Sequence, residues 1–280
     1  MCDRPTNSVR KVQVWNTKNN QQLQEISFDT AVLALRMNMK RLVVVLENRL
    51  HIHDLSTLKS LMIVHTEPNK KGLCALSPNS DNFDHCYMAY PQGTSTGEVV
   101  FYDALNLQIQ TIKQAHHAPL SCLIFNAEGT MLATSSTKGT VIRVFDTPEG
   151  NLLYSFRRGS YPADIYSLCF NKESSLVAAS SSSGTVHAFK LDEASKRGSE
   201  EQTGSLTGMV SGYMPGMVTD MLDPRSFAQV KLKAAGIATL CAINAESNQI
   251  HVVTSDGFFY TYEVPKDGGE CRLVKEASLK

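Results

Sequence analysis

The residues best suited to bind an anion form the run Phe156-Arg157-Arg158-Gly159. A guanidinium group presents a rigid fork of N–H donors that can hold two phosphate oxygens at once. If this run ends a strand, Arg157 and Arg158 point to opposite faces and cannot converge on one ligand. They can instead serve two separate anion sites that flank the same strand. Gly159 would let the backbone turn tightly or approach a ligand closely.

Two hydroxyl-rich motifs lie in register on either side of this arginine pair. The first is TSSTKGTVIR (134–143) and the second is SSSSGTVH (180–187). Aligning their G-T-V elements places Ile142 opposite His187. Each motif offers Ser/Thr hydroxyls, a turn glycine with an exposed N–H and a cationic or imidazole donor within a few residues. These are the groups that an anionic phosphate needs.

The residues alone leave two interpretations of this region open. Adjacent arginines on an edge strand are often a solvated edge that resists aggregation, and turns rich in Ser and Thr occur in many β-structures. The position of a double arginine between two such turns gives phosphate binding about equal weight.

The histidines could suggest an enzyme or a metal centre. His51 and His53 share one face of a strand and His116 and His117 are adjacent, but no third ligand has metal-like spacing. No nucleophile elbow, phosphate loop or closely spaced pair of catalytic carboxylates occurs. We therefore interpret the histidines as packing or turn residues, and expect no catalytic residues, no metal and no cofactor.

One kind of short strand recurs along the chain, and it must position the arginines and hydroxyls. Within each copy, apolar and polar residues alternate, and the copy ends in an aromatic residue or His followed by a polar residue. They are KVQVWN (11–16), RLHIHD (49–54), EVVFYD (98–103), TVIRVFD (140–146), TVHAFK (185–190) and FFYTYE (258–263). Four of the five spacings scatter about the roughly 40–45-residue period of a four-stranded propeller blade.

The clearest repeat unit contains all the strands that a blade requires. PLSCLIFN (119–126), GTMLATSS (129–136), TVIRVFD and NLLYSFRR (151–158) follow one another with turn signals between them. This pattern predicts an all-β protein with a β-propeller fold. A β-sandwich is the alternative, although it would not require a period of this length.

The last spacing is longer than one period, which predicts an insertion at about residues 192–224. Its first half is charged and rich in Ser and Gly, and its second half carries apolar residues at helical spacing. Such a loop could fold back as a cap, but several Met and a Tyr on a surface loop favour contact with a membrane or partner. The residues expected to insert are Met209, Val210, Tyr213, Met214, Met217 and Val218.

Composition limits the remaining possibilities. The 280 residues carry 27 Lys+Arg and 27 Asp+Glu, and the zero net charge argues against global attraction to nucleic acid. Seven cysteines without a C-x-x-C pair are typical of reduced core residues in a cytosolic protein. The N-terminus lacks an apolar signal segment, and no apolar run is long enough to span a bilayer, so we expect a soluble protein.

The stretch LATSSTKGTVIRVFDTPEGNLLYSFRRG, followed by TVHAFKL, resembles the PROPPIN (WIPI) family of phosphoinositide-binding WD-repeat propellers. GLCALSPN (72–79) and GEVVFYDALNL (97–107) are also similar to this family, and the similarity spans roughly residues 11–276. The resemblance implies a seven-bladed propeller whose rim binds phosphatidylinositol 3-phosphate and phosphatidylinositol 3,5-bisphosphate in autophagy. The Met-rich insertion matches the family's membrane-inserting loop in position.

The resemblance also implies two binding pockets. The first would use Thr134, Ser136, Gly139, Thr140, Arg143 and Arg157, and the second Arg158, Gly159, Ser181, Thr185 and His187. The expected partners are phosphoinositide-containing membranes and autophagy proteins, including a lipid-transfer partner. The expected location is the cytoplasm, peripherally on autophagosome-precursor, endosomal or vacuolar membranes. A WD-repeat scaffold that binds proteins without lipid is the alternative function.

The length is short for a seven-bladed ring. We expect one propeller domain over residues 1–280, with a partial first blade at 1–29 and about five and a half blades in all. Family members begin about a blade and a half earlier. A closed ring is therefore not expected from this chain as given, and an inactive truncated product is a further alternative.

Overall fold

The computed structural model describes residues 9–78, 84–196, 223–244, 246 and 248–279. Within these ranges the chain consists of strands, nearly all of them antiparallel, and turns, and it contains no α-helix. The six recurring strands occur where the repeat predicts them, within one residue at each end. They form because β-branched and aromatic residues alternate with polar ones and the runs are bounded by turn residues.

The first three sheets follow the chain in order, and each is antiparallel. The first pairs β1 (Lys11–Asn16) with β2 (Gln21–Ser27). The second has the order β3 (Ala34–Met37), β4 (Arg41–Val45), β5 (Arg49–Asp54) and β6 (Ser60–His65). The third contains β7 (Ala75–Leu76), β8 (Tyr87–Pro91), β9 (Gly97–Asp103) and β10 (Gln108–His116) in sequential pairing.

The last three sheets carry the predicted site. The fourth contains β11 (Leu120–Phe125), β12 (Met131–Ser136), β13 (Val141–Asp146) and β14 (Leu152–Arg157). The fifth contains β15 (Ile165–Phe170), β16 (Leu176–Ser181), β17 (Thr185–Lys190) and β18 (Ala228–Lys231), with β22 (Gly269–Glu270) added in parallel to β18. The sixth contains β19 (Thr239–Asn244), β20 (Gln249–Thr254), β21 (Phe258–Glu263) and β23 (Arg272–Ser278).

The apolar core lies between successive sheets rather than inside any one of them. Each of the five clusters of buried side chains combines residues from two neighbouring sheets. Between the fourth and fifth sheets, for example, the rings of Phe156 and Phe189 stack with their centroids 4.9 Å apart. Burial of such rings is the main stabilising contribution, and it fixes the end of β14 beside β17.

Consecutive four-stranded antiparallel sheets, packed face to face along the chain, form a β-propeller. The predicted fold class is therefore confirmed. The described residues supply five sheets of four or more strands and one of two strands. The closure and blade number of a complete ring stay predictions.

The predicted insertion separates the third and fourth strands of the fifth sheet. β17 ends at Lys190, and the next strand in the described residues is β18, which pairs with β17. Residues 197–222 lie outside the described part of the chain, and with them all six residues expected to insert into a membrane. The six described cysteines are free thiols, and five of them are buried.

Candidate functional site

The candidate site lies where β14 ends beside the β12–β13 and β16–β17 turns. Phe156 is buried near the end of β14. Just beyond it, the backbone N–H groups of Arg158 and Gly159 both donate to the carbonyl of Thr140, at 2.8 and 3.3 Å. Gly139 permits this turn because it adopts a φ of +60°, which side chains with a Cβ rarely adopt. A Cβ on Gly139 would also lie 1.9 Å from the carbonyl oxygen of Ala163.

Arg158 is held on three sides, and only 8% of its surface is exposed. Its Nε donates to the carbonyl of Gly139 at 2.8 Å, and its Nη2 donates to the carbonyl of Tyr161 at 2.6 Å. Its Nη1 donates to the hydroxyl of Ser183 at 3.4 Å. Burial lowers the pKa of Arg158, but a guanidinium stays protonated at neutral pH. The side chain is therefore a fixed positive charge that points toward the fifth sheet.

The second predicted pocket is a continuous chain of hydrogen bonds. The Ser183 hydroxyl lies 2.8 Å from those of both Ser181 and Thr185. The Thr185 hydroxyl lies 3.0 Å from Nε2 of His187, and Nδ1 of His187 lies 3.0 Å from the hydroxyl of Ser226. Hydroxyl protons and the histidine tautomer can rearrange along this chain to suit a bound anion.

His187 is neutral in this setting. Burial, and then the positive charge of Arg158, lowers its pKa to about 4. At neutral pH one ring nitrogen therefore donates a hydrogen bond and the other accepts one. The fixed charge in this pocket comes from Arg158, while His187 contributes an oriented dipole.

The first predicted pocket is built on a row of cross-strand neighbours. Thr134 pairs directly with Arg143 in the β12–β13 ladder, so both side chains lie on one face of the sheet. Nε2 of His116 lies 2.8 Å from the Thr134 hydroxyl, and Arg143 Nη1 donates to the Ala115 carbonyl at 2.7 Å. Burial and the charge of Arg143 lower the pKa of His116 to about 3, so this imidazole is also neutral.

Arg157 lies on the first-pocket side of β14. It pairs with Val141 in the ladder, is partly exposed, and its Nη2 donates to the hydroxyl of Ser160 at 3.1 Å. Arg157 donates to Ser160, whereas Arg158 donates to other groups, as expected for adjacent strand residues. Ser136 is 5% exposed, and its carbonyl accepts the N–H of Gly139 at 2.9 Å.

The strand register corrects the predicted alignment of the two motifs. Thr134 pairs with Arg143 in the fourth sheet, whereas Ala179 pairs with His187 in the fifth. Arg143, and not Ile142, is therefore the counterpart of His187. The prediction was wrong because the β12–β13 turn is one residue longer than the β16–β17 turn, which an alignment on the turn glycine conceals.

Sequence reasoning missed three residues that join these networks. Ser183 lies in the serine run of the second motif, SSSSGTVH (180–187), and its position beside the turn glycine Gly184 could have identified it. His116 was interpreted as a packing residue, although it lies against the first-pocket hydroxyl. Ser226 follows the insertion, and nothing local in the sequence connects it with a histidine 39 positions earlier.

The site offers cationic and neutral donors for an anion. No group of three or more His, Cys, Asp or Glu residues is arranged to hold a metal ion in the part of the chain that the structure describes. Among the same residues, no helix has the length and apolar character needed to cross a membrane.

A cavity of about 510 Å³ lies elsewhere, between loops of the second, third and fourth sheets. Its wall includes Pro68, Pro91 and Pro119, with Lys70 and Lys71 among the polar lining residues. None of the eleven residues predicted to bind phosphate lines it. The candidate pockets are therefore separate from this cavity.

Comparison with known proteins identifies the family of this chain. The family model described as PROPPIN matches residues 5–280. The chain belongs to the PROPPIN family. Autophagy-related protein 18 of Mycosarcoma maydis is 36% identical over 355 residues, covering 97% of this chain and 78% of that protein. Autophagy-related protein 18 of Schizosaccharomyces pombe is 37% identical over 311 residues, covering 98% of this chain and 83% of that protein.

Solved structures agree on the fold of this PROPPIN. KlAtg21, in a complex with the coiled coil of AgAtg16, superposes with a TM-score of 0.76 at 24% identity and covers 99% of this chain and 79% of its own. Kluyveromyces lactis Hsv2 gives a TM-score of 0.74 at 19% identity and covers 97% and 81%. At these identities the two structures support the propeller architecture alone.

Proposed function

We propose that this PROPPIN is a phosphoinositide-binding membrane effector that acts as a non-enzymatic scaffold in autophagosome formation. The observation that carries the proposal is the division of the arginine pair. Arg157 lies two residues from Ser155 on β14 and so shares its face with the first row, because Ser155 pairs with Arg143. Arg158 donates to Ser183 in the hydroxyl chain of the second pocket. Each row thus has its own guanidinium, and phosphatidylinositol 3-phosphate and 3,5-bisphosphate present the phosphates that such sites would bind.

Binding at two sites would explain how a chain of zero net charge binds to an anionic membrane. Two modest headgroup sites on one rim act together at a bilayer, because the first contact raises the effective concentration for the second. The insertion would add apolar contact through the six predicted residues between Met209 and Val218. Each CH₂ buried in the bilayer contributes about 0.8 kcal/mol.

The proposed setting is the cytoplasmic face of autophagosome-precursor, endosomal or vacuolar membranes. Relatives named autophagy-related protein 18 support the autophagy role. KlAtg21 was solved with the coiled coil of AgAtg16, which supports autophagy proteins as partners of this chain too. A lipid-transfer protein is a further proposed partner, on the family resemblance.

The direct test is co-sedimentation with vesicles of phosphatidylcholine containing about 5% phosphatidylinositol 3-phosphate. We expect the wild type to pellet with these vesicles and to stay in the supernatant with phosphatidylcholine alone. The double variant Arg157→Thr, Arg158→Thr should lose binding while its far-UV circular dichroism stays that of the wild type. Undiminished binding by a folded double variant would contradict the two-pocket model.

Protein scaffolding without lipid is the second candidate function. The solved complex of KlAtg21 with the coiled coil of AgAtg16 favours it, because that propeller binds a protein partner. The vesicle test separates the two functions. A folded wild type that never pellets with phosphoinositide vesicles would leave scaffolding as the better account.

A further inference from the structure

The four residues Asp223–Ser226, here named the strap, connect the two candidate pockets. They lie at the C-terminal end of the predicted insertion and precede β18 by one residue. At the start of the strap, the carbonyl of Pro224 accepts the backbone N–H of Arg157 at 2.9 Å. Arg225 forms an isolated parallel bridge with Arg157. The strap therefore extends the edge of the fourth sheet at the arginine assigned to the first pocket.

Asp223 secures the strap to the same sheet through its side chain. It is 8% exposed, and its carboxylate accepts a hydrogen bond from the hydroxyl of Ser155, which is 1% exposed. Ser155 is in turn the cross-strand neighbour of Arg143 in the β13–β14 ladder. A hydrogen bond to a charged acceptor in a buried setting is stronger than a neutral one. Asp223 thus continues the first-pocket row Thr134–Arg143–Ser155 by one position.

The other end of the strap belongs to the second pocket. The hydroxyl of Ser226 lies 3.0 Å from Nδ1 of His187, and two residues later Ala228 pairs with Ala188 in the fifth sheet. Within four residues the chain therefore passes from the rim of one sheet to the rim of the next. It contacts a member of each candidate pocket on the way.

We propose that the strap, with Asp223 as its positioning residue, fixes the arginine end of β14 and His187 relative to each other. The two headgroup sites then meet a bilayer as one unit. This inference rests on the proposed function and adds to it a mechanical link between the two headgroup sites. Without the anchor, the two sites would sample more relative orientations, and the effective concentration of the second site at the bilayer would fall.

The test compares Asp223→Ala with two further variants. Asp223→Asn keeps an oxygen acceptor for Ser155 and is the conservative variant. Asp146→Ala is the matched control, because Asp146 lies in the same sheet and its carboxylate accepts bonds from Asn151 in the β13–β14 turn. Each variant is measured for vesicle co-sedimentation, for calorimetric binding of soluble inositol 1,3-bisphosphate, and for hydrogen exchange of the peptide that contains Arg157.

We expect Asp223→Ala to weaken vesicle binding about five- to tenfold while binding of the soluble headgroup changes less than about twofold. Hydrogen exchange of the Arg157 amide should rise at least about tenfold, since the strap no longer holds its acceptor. Asp223→Asn should recover most of the vesicle binding. Asp146→Ala should leave vesicle binding and Arg157 exchange at wild-type values.

Each other outcome counts against a defined part of the account. Equal vesicle binding by folded Asp223→Ala and wild type would overturn the strap alone. Parallel loss of vesicle and headgroup binding would show that Asp223 supports the pockets generally and does not link them to each other. Absence of vesicle binding by the wild type would overturn the proposed function, and the strap's role with it.

Discussion

Replacement of Arg158 by alanine should lower the free energy of unfolding by about 2 to 4 kcal/mol. The predicted change is large because Arg158 joins its own loop, at Tyr161, to two turns that lie 19 and 25 positions away, at Gly139 and Ser183. Its guanidinium donates to the carbonyls of Gly139 and Tyr161 and to the hydroxyl of Ser183. Arg158 is therefore part of the fold as well as of the second candidate pocket.

The magnitude follows from these three bonds. Hydrogen bonds from charged donors contribute about 1.5 to 3 kcal/mol each. The bonds to Gly139 and Tyr161 are short, at 2.8 and 2.6 Å, whereas the 3.4 Å bond to Ser183 is weak. Two strong bonds set an upper limit of about 6 kcal/mol. In the variant, water can hydrogen-bond to the carbonyls of Gly139 and Tyr161 at the rim. These bonds recover part of the lost free energy, which lowers the expected loss to about 2 to 4 kcal/mol.

The assay is equilibrium unfolding in urea, followed by far-UV circular dichroism. Arg158→Lys should lie between alanine and wild type, because one ammonium cannot reach all three acceptors. Lys138→Ala is the matched control. It removes one positive charge from the exposed β12–β13 turn, and it should change stability by less than about 0.5 kcal/mol. An Arg158→Ala protein as stable as the control would refute the view that the Arg158 guanidinium stabilises the rim.

Three further predictions test the turn, the histidines and the insertion. Gly139→Ala should destabilise the protein by about 1 to 3 kcal/mol, because a Cβ would clash with a backbone carbonyl at a φ of +60°; Gly159→Ala, with no atom within 4 Å of its Cβ, should be near neutral in the same urea assay. Acidification should reduce stability between pH 6.5 and about 4, because the unfolded chain protonates His187 in this window and the folded chain does not; the contribution of His187 is at most about 1.4 kcal/mol per pH unit, and an equal slope in His187→Gln would count against it. Aspartate at Met214 and Met217 should weaken vesicle binding but spare the soluble headgroup, and equal loss of both in the two binding assays would indicate misfolding.

The strands were predictable because their signal is local. Alternation in runs such as TVHAFK and turn residues at even spacing indicate where each strand begins and ends, and the arginine pair followed from residue type alone. The polar partners of the pair were less predictable. A turn longer by one residue shifted the counterpart of His187 from Ile142 to Arg143, since cross-strand register depends on loop length.

The strap was not predictable from the sequence at all. Asp223 and Ser155 are 68 positions apart, and their hydrogen bond depends on how the fourth and fifth sheets pack. The same holds for Ser226 and His187, which lie on either side of a long insertion. Contacts between sheets follow from the arrangement of the whole propeller, which leaves no pattern within any one repeat.

The central claim is that the rim carries two separate headgroup sites, one for each arginine. Calorimetric titration of the wild type with soluble inositol 1,3-bisphosphate tests it most directly. We predict a stoichiometry of two for the wild type and one for a folded Arg157→Ala variant, whose remaining site retains Arg158. A stoichiometry of one for the wild type, or of two for the variant, would contradict the assignment of one arginine to each pocket.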